Sequence, residues 1–426
     1  MKKLIQLTFV ALLSSVWSAS FGIAGEMPVA SPESVGLSSE RLAQVGDAIH
    51  AEIAAGSIAG GVLLVARHGK VAYIDAFGEQ DKANGTAMDT ESLFRLFSMT
   101  KPIVSVAVLM LNEQGRLLLN DPVEKYLPEF ADATVAEGKL SDAVAANRPV
   151  TVQDLLRHTS GLTYGVFGDS PVKAKYREAD TLSWQQTNAE MVTKIAAIPL
   201  AYQPGTVWDY GQSTDVLAHV VEVVTGQTID TFLQDNILGP LGMNDTGYVV
   251  AASELGRVAE QLPNPDTGAP NPLRDLSVKP NWLPGGQGLV STASDYWRFS
   301  QMLLNRGELD GVRILSPTTV DYMTSDHLGA GIEKRAANMW WVGDGYGFGL
   351  GVAVRLDDGI TAWNGAKGDY YWMGYAGTNF LVSPKRDLVM VFMAQQIPQA
   401  LRNRDVLFSL IPQTIVDAET VGAVTN

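Results

Sequence analysis

Two pairs of strand-like runs stand near opposite ends of this chain, and any fold must account for both. Gly61 to Ala66 and Val71 to Phe77 are apolar segments separated by His68-Gly69, the pattern of a tight hairpin. Far downstream, Asn379 to Val382 and Leu388 to Met393 flank Ser383-Pro384-Lys385-Arg386 in the same way. Between them the apolar spacing turns helical: Val104 to Leu111 stopping near Gly115, Val152 to Arg157, Ala189 to Ile198, and Ser213 to Thr225 before Gly226. A first helix from Glu40 to Ala54, capped by Ser38 or Ser39, and a last one from Arg402 to Leu410 bracket the whole. The economical assembly is an α/β (α+β) fold. One antiparallel sheet is built from both chain ends and flanked by the terminal helices, in a lobe of about 32–90 and 285–426. A mostly helical lobe of about 91–284 packs alongside, and the cleft between the two is the natural place for a site.

With 46% hydrophobic and 18% charged residues in 426, the chain can fill a sizeable core. Its formal charge of −15 argues against nucleic acid and anionic membrane surfaces as partners. The absence of cysteine excludes disulfides, thiolate metal ligands, thiol catalysis and lipid attachment through an N-terminal cysteine. The opening residues read as a secretory signal peptide over 1–24. Lys2 and Lys3 precede an apolar run from Leu4 to Trp17, with small residues at Ser18, Ala19, Ser20, Gly22 and Ala24 and cleavage expected after Ser20 or Ala24. The run is shorter than the roughly 20 residues a spanning helix needs, so no stable membrane span is expected after its removal. The rest, 27–426, is expected to be a single exported domain, periplasmic or secreted.

Neither G-x-S-x-G nor H-E-x-x-H occurs, and the five histidines are scattered, which removes the α/β-hydrolase elbow and a zinc site from consideration. Ser98-Met99-Thr100-Lys101 is present. S-x-x-K is weak by itself, with roughly one chance match expected in a chain of this make-up, and a second copy stands at Ser170-Pro171-Val172-Lys173, read here as a surface loop. Ser98 has the better context. A strand-like Leu93 to Phe97 leads into it, and Pro102 fits only the opening turn of a helix. Lys101 then lies one turn along the same face, where its amine reaches the Ser98 hydroxyl. The helix N-terminus favours negative charge on that oxygen, and the Ser98 N–H can serve an oxyanion hole. A lysine acts as a base only when neutral, which burial in the cleft promotes.

The words around these residues resemble the serine β-lactamase-like superfamily, in particular family VIII carboxylesterases and class C β-lactamases. The resemblance rests on ordered blocks: Phe94 to Leu111, Leu155 to Gly165, Pro204 to Gly226, Ile237 to Met243, Gly285 to Leu304 and Phe380 to Met393. It implies a β-lactamase/penicillin-binding-protein-like fold with Ser98 as the acylated nucleophile and Lys101 and Tyr210 handling its proton. Which of the two is the principal base stays open. The resemblance also implies an oxyanion hole from the N–H groups of Ser98 and Tyr375, and substrate contacts from Trp372, Gly374, Gln212 and Tyr164. No K-T-G is found. Trp372-Met373-Gly374 is similar to the W-G-G of family VIII esterases, and Tyr210-Gly211-Gln212 replaces the common Y-x-N. The reading is therefore a serine carboxylesterase for small-molecule, short-chain esters, with weak β-lactam hydrolysis allowed and no metal or cofactor needed. Its rivals are a class C-like β-lactamase or D-amino acid peptidase, and a non-catalytic penicillin-recognition or cell-wall binding module. Tyr370, Tyr371, Trp372 and Tyr375, with Trp340, Trp341 and Trp363, are expected to form an aromatic wall. His158 is read as structural, Asp209 as a solvated loop charge and Asp215 as a helix-start acid.

Overall fold

The computed structural model describes residues 27–417 except 265–266, 270–272, 335–341 and 398. The predicted signal peptide lies outside them, as do Trp340 and Trp341. In chain order, helix α1 (Ser39–Ala54) begins behind Ser38, whose side chain accepts the Arg41 N–H. Strands β1 (Gly60–Arg67), β2 (Lys70–Asp81) and β3 (Thr86–Ala87) follow. The helices α2 (Thr100–Glu113), α3 (Val152–Leu156), α4 (Pro171–Glu178), α5 (Asn188–Ala196), α6 (Ser213–Thr225) and α7 (Ala293–Leu304) come next. Strands β4 (Tyr346–Phe348), β5 (Ala353–Arg355), β6 (Tyr370–Met373), β7 (Asn379–Ser383) and β8 (Leu388–Ala394) then lead to α8 (Ala400–Leu410).

The eight strands form one antiparallel sheet in the order β4-β5-β6-β7-β8-β1-β2-β3. Its centre is the junction of the two chain ends, where β1 meets β8 from Gly61 opposite Ala394 to Arg67 opposite Leu388. His68 and Gly69 both have positive φ, 54° and 70°, so their turn matches the strand twist and pins the β1–β2 register. Every residue of β1 and β8 is buried, and neither strand shows polar alternation. Both faces are covered: α1 and α8 pack together on the sheet, and α7 lies against β7, β8 and β1. Helix α7 was not anticipated among the helices read from the sequence.

In the helical part α2 is the hub. Its residues from Thr100 to Leu109 and Leu111 are buried all round, and α6 packs on it. The second S-x-x-K differs from the loop expected. Ser170 is the cap of α4 and accepts the Lys173 N–H at 3.1 Å, the ordinary use of a serine three residues before a free backbone donor. Among the described residues no helix is long and apolar enough to cross a membrane.

Candidate active site

Only Phe94–Arg95 of the predicted strand forms one, pairing with Val290–Ser291. The chain then turns sharply: Phe97 has φ 47°, a conformation that costs a non-glycine residue about 1–2 kcal/mol. A short turn over Phe97–Met99 leads into α2 and leaves Ser98 half-buried at its mouth. Lys101, on the first turn of α2, is fully buried, with Nζ 3.2 Å from Ser98 Oγ. The same amine donates to the Tyr164 hydroxyl at 3.1 Å and to the Gly286 carbonyl at 2.8 Å.

Tyr210 sits between Val207–Trp208 and α6. Its hydroxyl is in hydrogen-bond contact with the Ser98 side chain and accepts the Trp372 indole N–H at 3.3 Å. Lys101 Nζ lies 4.6 Å from the centre of its ring. Tyr164 stands next to it, ring centres 5.6 Å apart, because the two segments cross in close contact at Gly211. A Cβ there would lie 2.5 Å from the Leu162 carbonyl oxygen and 2.7 Å from Thr163 Cα. Glycine is what allows both phenols to reach one lysine.

Burial draws the Lys101 amine down to about 7, opposed by the carboxylate of Asp215. Asp215 is itself buried and its carboxyl is pushed up by desolvation, opposed by the lysine. Gly286 joins the two, its N–H donating to Asp215 Oδ1 at 2.8 Å while its carbonyl accepts from Lys101. A Cβ at 286 would fall within 2.9 Å of both Asp215 carboxylate oxygens and of the Tyr164 hydroxyl. Asp215 is thus no ordinary helix-start acid. Asp209, read as a solvated charge, is also buried. Burial raises the Tyr210 phenol, and the hydrogen bonds from Ser98 and Trp372 pull it back. His158 is buried with neither ring nitrogen hydrogen-bonded, its ring 4.9 Å from that of Tyr210. Burial holds it well below the usual histidine range, so it packs as a neutral ring.

Other predicted residues are placed differently from expectation. Gln212 turns its amide onto Thr181, accepting from its hydroxyl at 2.6 Å and donating to its carbonyl, because a fully buried amide must satisfy itself locally. Trp372 is fully buried on β6 and meets Tyr210, so a direct substrate contact is replaced by a hydrogen bond to the phenol. Gly374 follows at a crossing of backbones, where a Cβ would lie 2.2 Å from the Leu96 carbonyl oxygen. Its absent side chain brings the β6–β7 turn over the Leu96–Ser98 segment. In that turn Tyr375 packs edge-to-face on Phe97, ring centres 6.2 Å apart. Tyr370 and Tyr371 are buried in the sheet, and the Trp363 indole bonds to Tyr346, so these do not form the expected wall. The aromatic wall is instead made by Phe97, Tyr164, Phe167, Trp184 and Tyr375, around a cavity of about 390 Å³ that opens beside the Phe97–Met99 turn. Asp215 was read only as a helix-start acid and Gly286 carried no assigned role in the sequence, although the Gly285-Gly286 pair was a usable signal of close backbone approach.

The charge of Asp215 makes a signed prediction. Removing its charge in Asp215→Asn, which keeps the acceptor for Gly286, leaves the protonated lysine less stabilised. The acidic limb of the kcat/KM profile should move about one pH unit or more downward. A limb that stays in place would separate Asp215 from the lysine.

The Beta-lactamase family model matches residues 45–407. The chain is 33% identical over 350 residues to Esterase EstB of Burkholderia gladioli, covering 76% of this chain and 83% of that protein. It is 30% identical over 372 residues to the Lovastatin esterase of Penicillium rubens, covering 82% and 91%. Among solved structures, EstCE1, a hydrolase with promiscuous acyltransferase activity, superimposes with a TM-score of 0.75 at 26% identity, covering 89% of this chain and 99% of that one. With a match that runs from within its first helix to within its last, the chain belongs to the Beta-lactamase family and is a serine hydrolase of that fold.

Proposed function

We propose that the protein hydrolyses short-chain carboxylic esters through an acyl-enzyme on Ser98. The observation that carries this reading is the convergence of Ser98 Oγ, Lys101 Nζ and the Tyr210 hydroxyl beside one apolar cavity. The neutral Lys101 amine takes the Ser98 proton as Oγ attacks the ester carbonyl carbon, forming a tetrahedral oxyanion. The N–H groups of Ser98 and Tyr375 receive that oxyanion, as the crossing of the β6–β7 turn over Leu96–Ser98 favours. Collapse breaks the bond to the leaving oxygen, which takes a proton through Tyr210 and departs as the alcohol. Water then gives a proton to the same pair, attacks the acyl carbon and releases the acid, restoring the Ser98 hydroxyl. Lys101 is the better initial base, because burial lowers its pKa while it raises that of the Tyr210 phenol. The esterase names of two relatives and the absence of K-T-G favour esters over β-lactams, with nitrocefin turnover expected to be weak. The apolar leader of residues 1–24 supports export to a periplasm or the medium.

The test is p-nitrophenyl butyrate hydrolysis with peptide mass mapping of quenched enzyme. A butyryl adduct on the peptide containing Ser98, with nitrocefin hydrolysed far more slowly, is the expected result. No ester turnover, or an adduct elsewhere, would end the proposal.

A further inference from the structure

The cavity beside Ser98 differs in charge from the molecule that contains it. In a chain of net charge −15, no Asp or Glu is among the described residues lining it, whereas Arg95 and Arg274 both are. Arg274 has only neutral acceptors: Nη1 donates to the carbonyls of Asp275 and Val278 at 3.2 Å, and Nη2 to those of Tyr248 and Gly288. The nearby Asp275 carboxylate is turned away onto Ser277. The Arg274 guanidinium lies 5.2 Å from the centre of a ring of Trp184, a wall residue, and burial with the charge of Arg95 draws it down to about 10. It therefore stays cationic at neutral pH. Arg95 faces Glu260 only at 3.8 Å, and its Nε is buried without a hydrogen-bond partner. Carbonyl oxygens orient a guanidinium without cancelling its charge, so the wall keeps a positive charge that the Asp275 and Glu260 carboxylates offset only from a distance.

We infer that the cavity selects esters carrying a carboxylate at the far end of an apolar group, seated against Arg274 with Arg95 behind it. This rests on the ester-hydrolase reading above and names its substrate class. One singly charged carboxylate matches a guanidinium whose Nη donors are held by four carbonyls and whose Nε–H can give it one charge-assisted hydrogen bond. A dianionic phosphate would carry surplus charge into aromatic surroundings.

The experiment compares two matched pairs on the wild-type enzyme. The first is p-nitrophenyl hydrogen suberate against its terminal amide, with the carboxylate on the acyl side. The second is 4-(butyryloxy)benzoate against 4-(butyryloxy)benzamide, with it on the alcohol side. In at least one pair the anion should be preferred by about ten-fold or more in kcat/KM, chiefly through KM, as expected for one charge-assisted hydrogen bond. Arg274→Gln should erase that preference and Arg274→Lys should keep most of it. A purely structural Arg274 would lower both members of a pair alike. No preference in either wild-type pair, or a preference that survives Arg274→Gln, overturns the inference while p-nitrophenyl butyrate hydrolysis leaves the esterase reading standing. Should Arg274→Gln fail to fold, the wild-type pairs and Arg274→Lys decide: a wild-type preference that the lysine retains supports the assignment, and its absence ends it.

Discussion

Ser98→Ala is expected to lower kcat for p-nitrophenyl butyrate by about 10⁴-fold or more, the scale at which loss of a covalent nucleophile leaves only binding and oxyanion contacts. The change removes one half-buried oxygen and nothing that holds the fold. Lys101 keeps its bonds to the Tyr164 hydroxyl and the Gly286 carbonyl, and the backbone N–H at 98 remains. The melting temperature should therefore stay near that of the wild type, and the butyryl adduct should vanish. Turnover within about ten-fold of wild type would mean that another group carries the acyl chain, whatever the geometry around 98.

Lys101→Met should cost about 10²–10⁴-fold in kcat, the span of a positioned general base. Methionine nearly fills the same volume, so the effect is chemical and not a cavity artefact. Three contacts lose their donor, to Ser98, Tyr164 and Gly286. Stability should fall by about 1–3 kcal/mol, because the buried Gly286 carbonyl loses its donor, while Asp215, already pushed up by desolvation, takes a proton once the lysine charge is gone. If Lys101 acts as the base, the wild-type profile should rise as pH passes upward through about 7, where the amine loses its proton, and that limb should disappear in the variant. A variant that keeps most of its kcat would remove the proton-transfer scheme. One that simply melts would show in the unfolding curve.

Comparison with the sequence reading turns on what kind of signal each feature leaves. The hairpins at His68-Gly69 and Ser383 to Arg386 were legible because turn chemistry and apolar runs are local, and the sheet does join the two chain ends as that pattern required. Helix α7 was missed although its Thr292 cap accepts the Asp295 N–H, since polar residues interrupt its apolar face. Ser170 was taken for a loop residue because a capping serine and a loop serine look alike until a helix is seen behind them. Gln212 and Trp372 were read as substrate contacts from their places in motifs, yet both are fully buried and spend their hydrogen bonds inside the protein.

By itself the sequence determined the fold class, the tight hairpin turns and the spacing that lets Ser98 and Lys101 share one helical turn. These depend on periodicity, turn residues and steric size, which act over a few residues. Only the tertiary structure decided that Asp215 stands behind the lysine, that Trp372 bonds Tyr210, and that two arginines border a cavity free of described carboxylates. Each of these joins residues far apart in the chain, and the strength of their electrostatic coupling comes from the exclusion of water, a property of packing that no stretch of sequence carries alone.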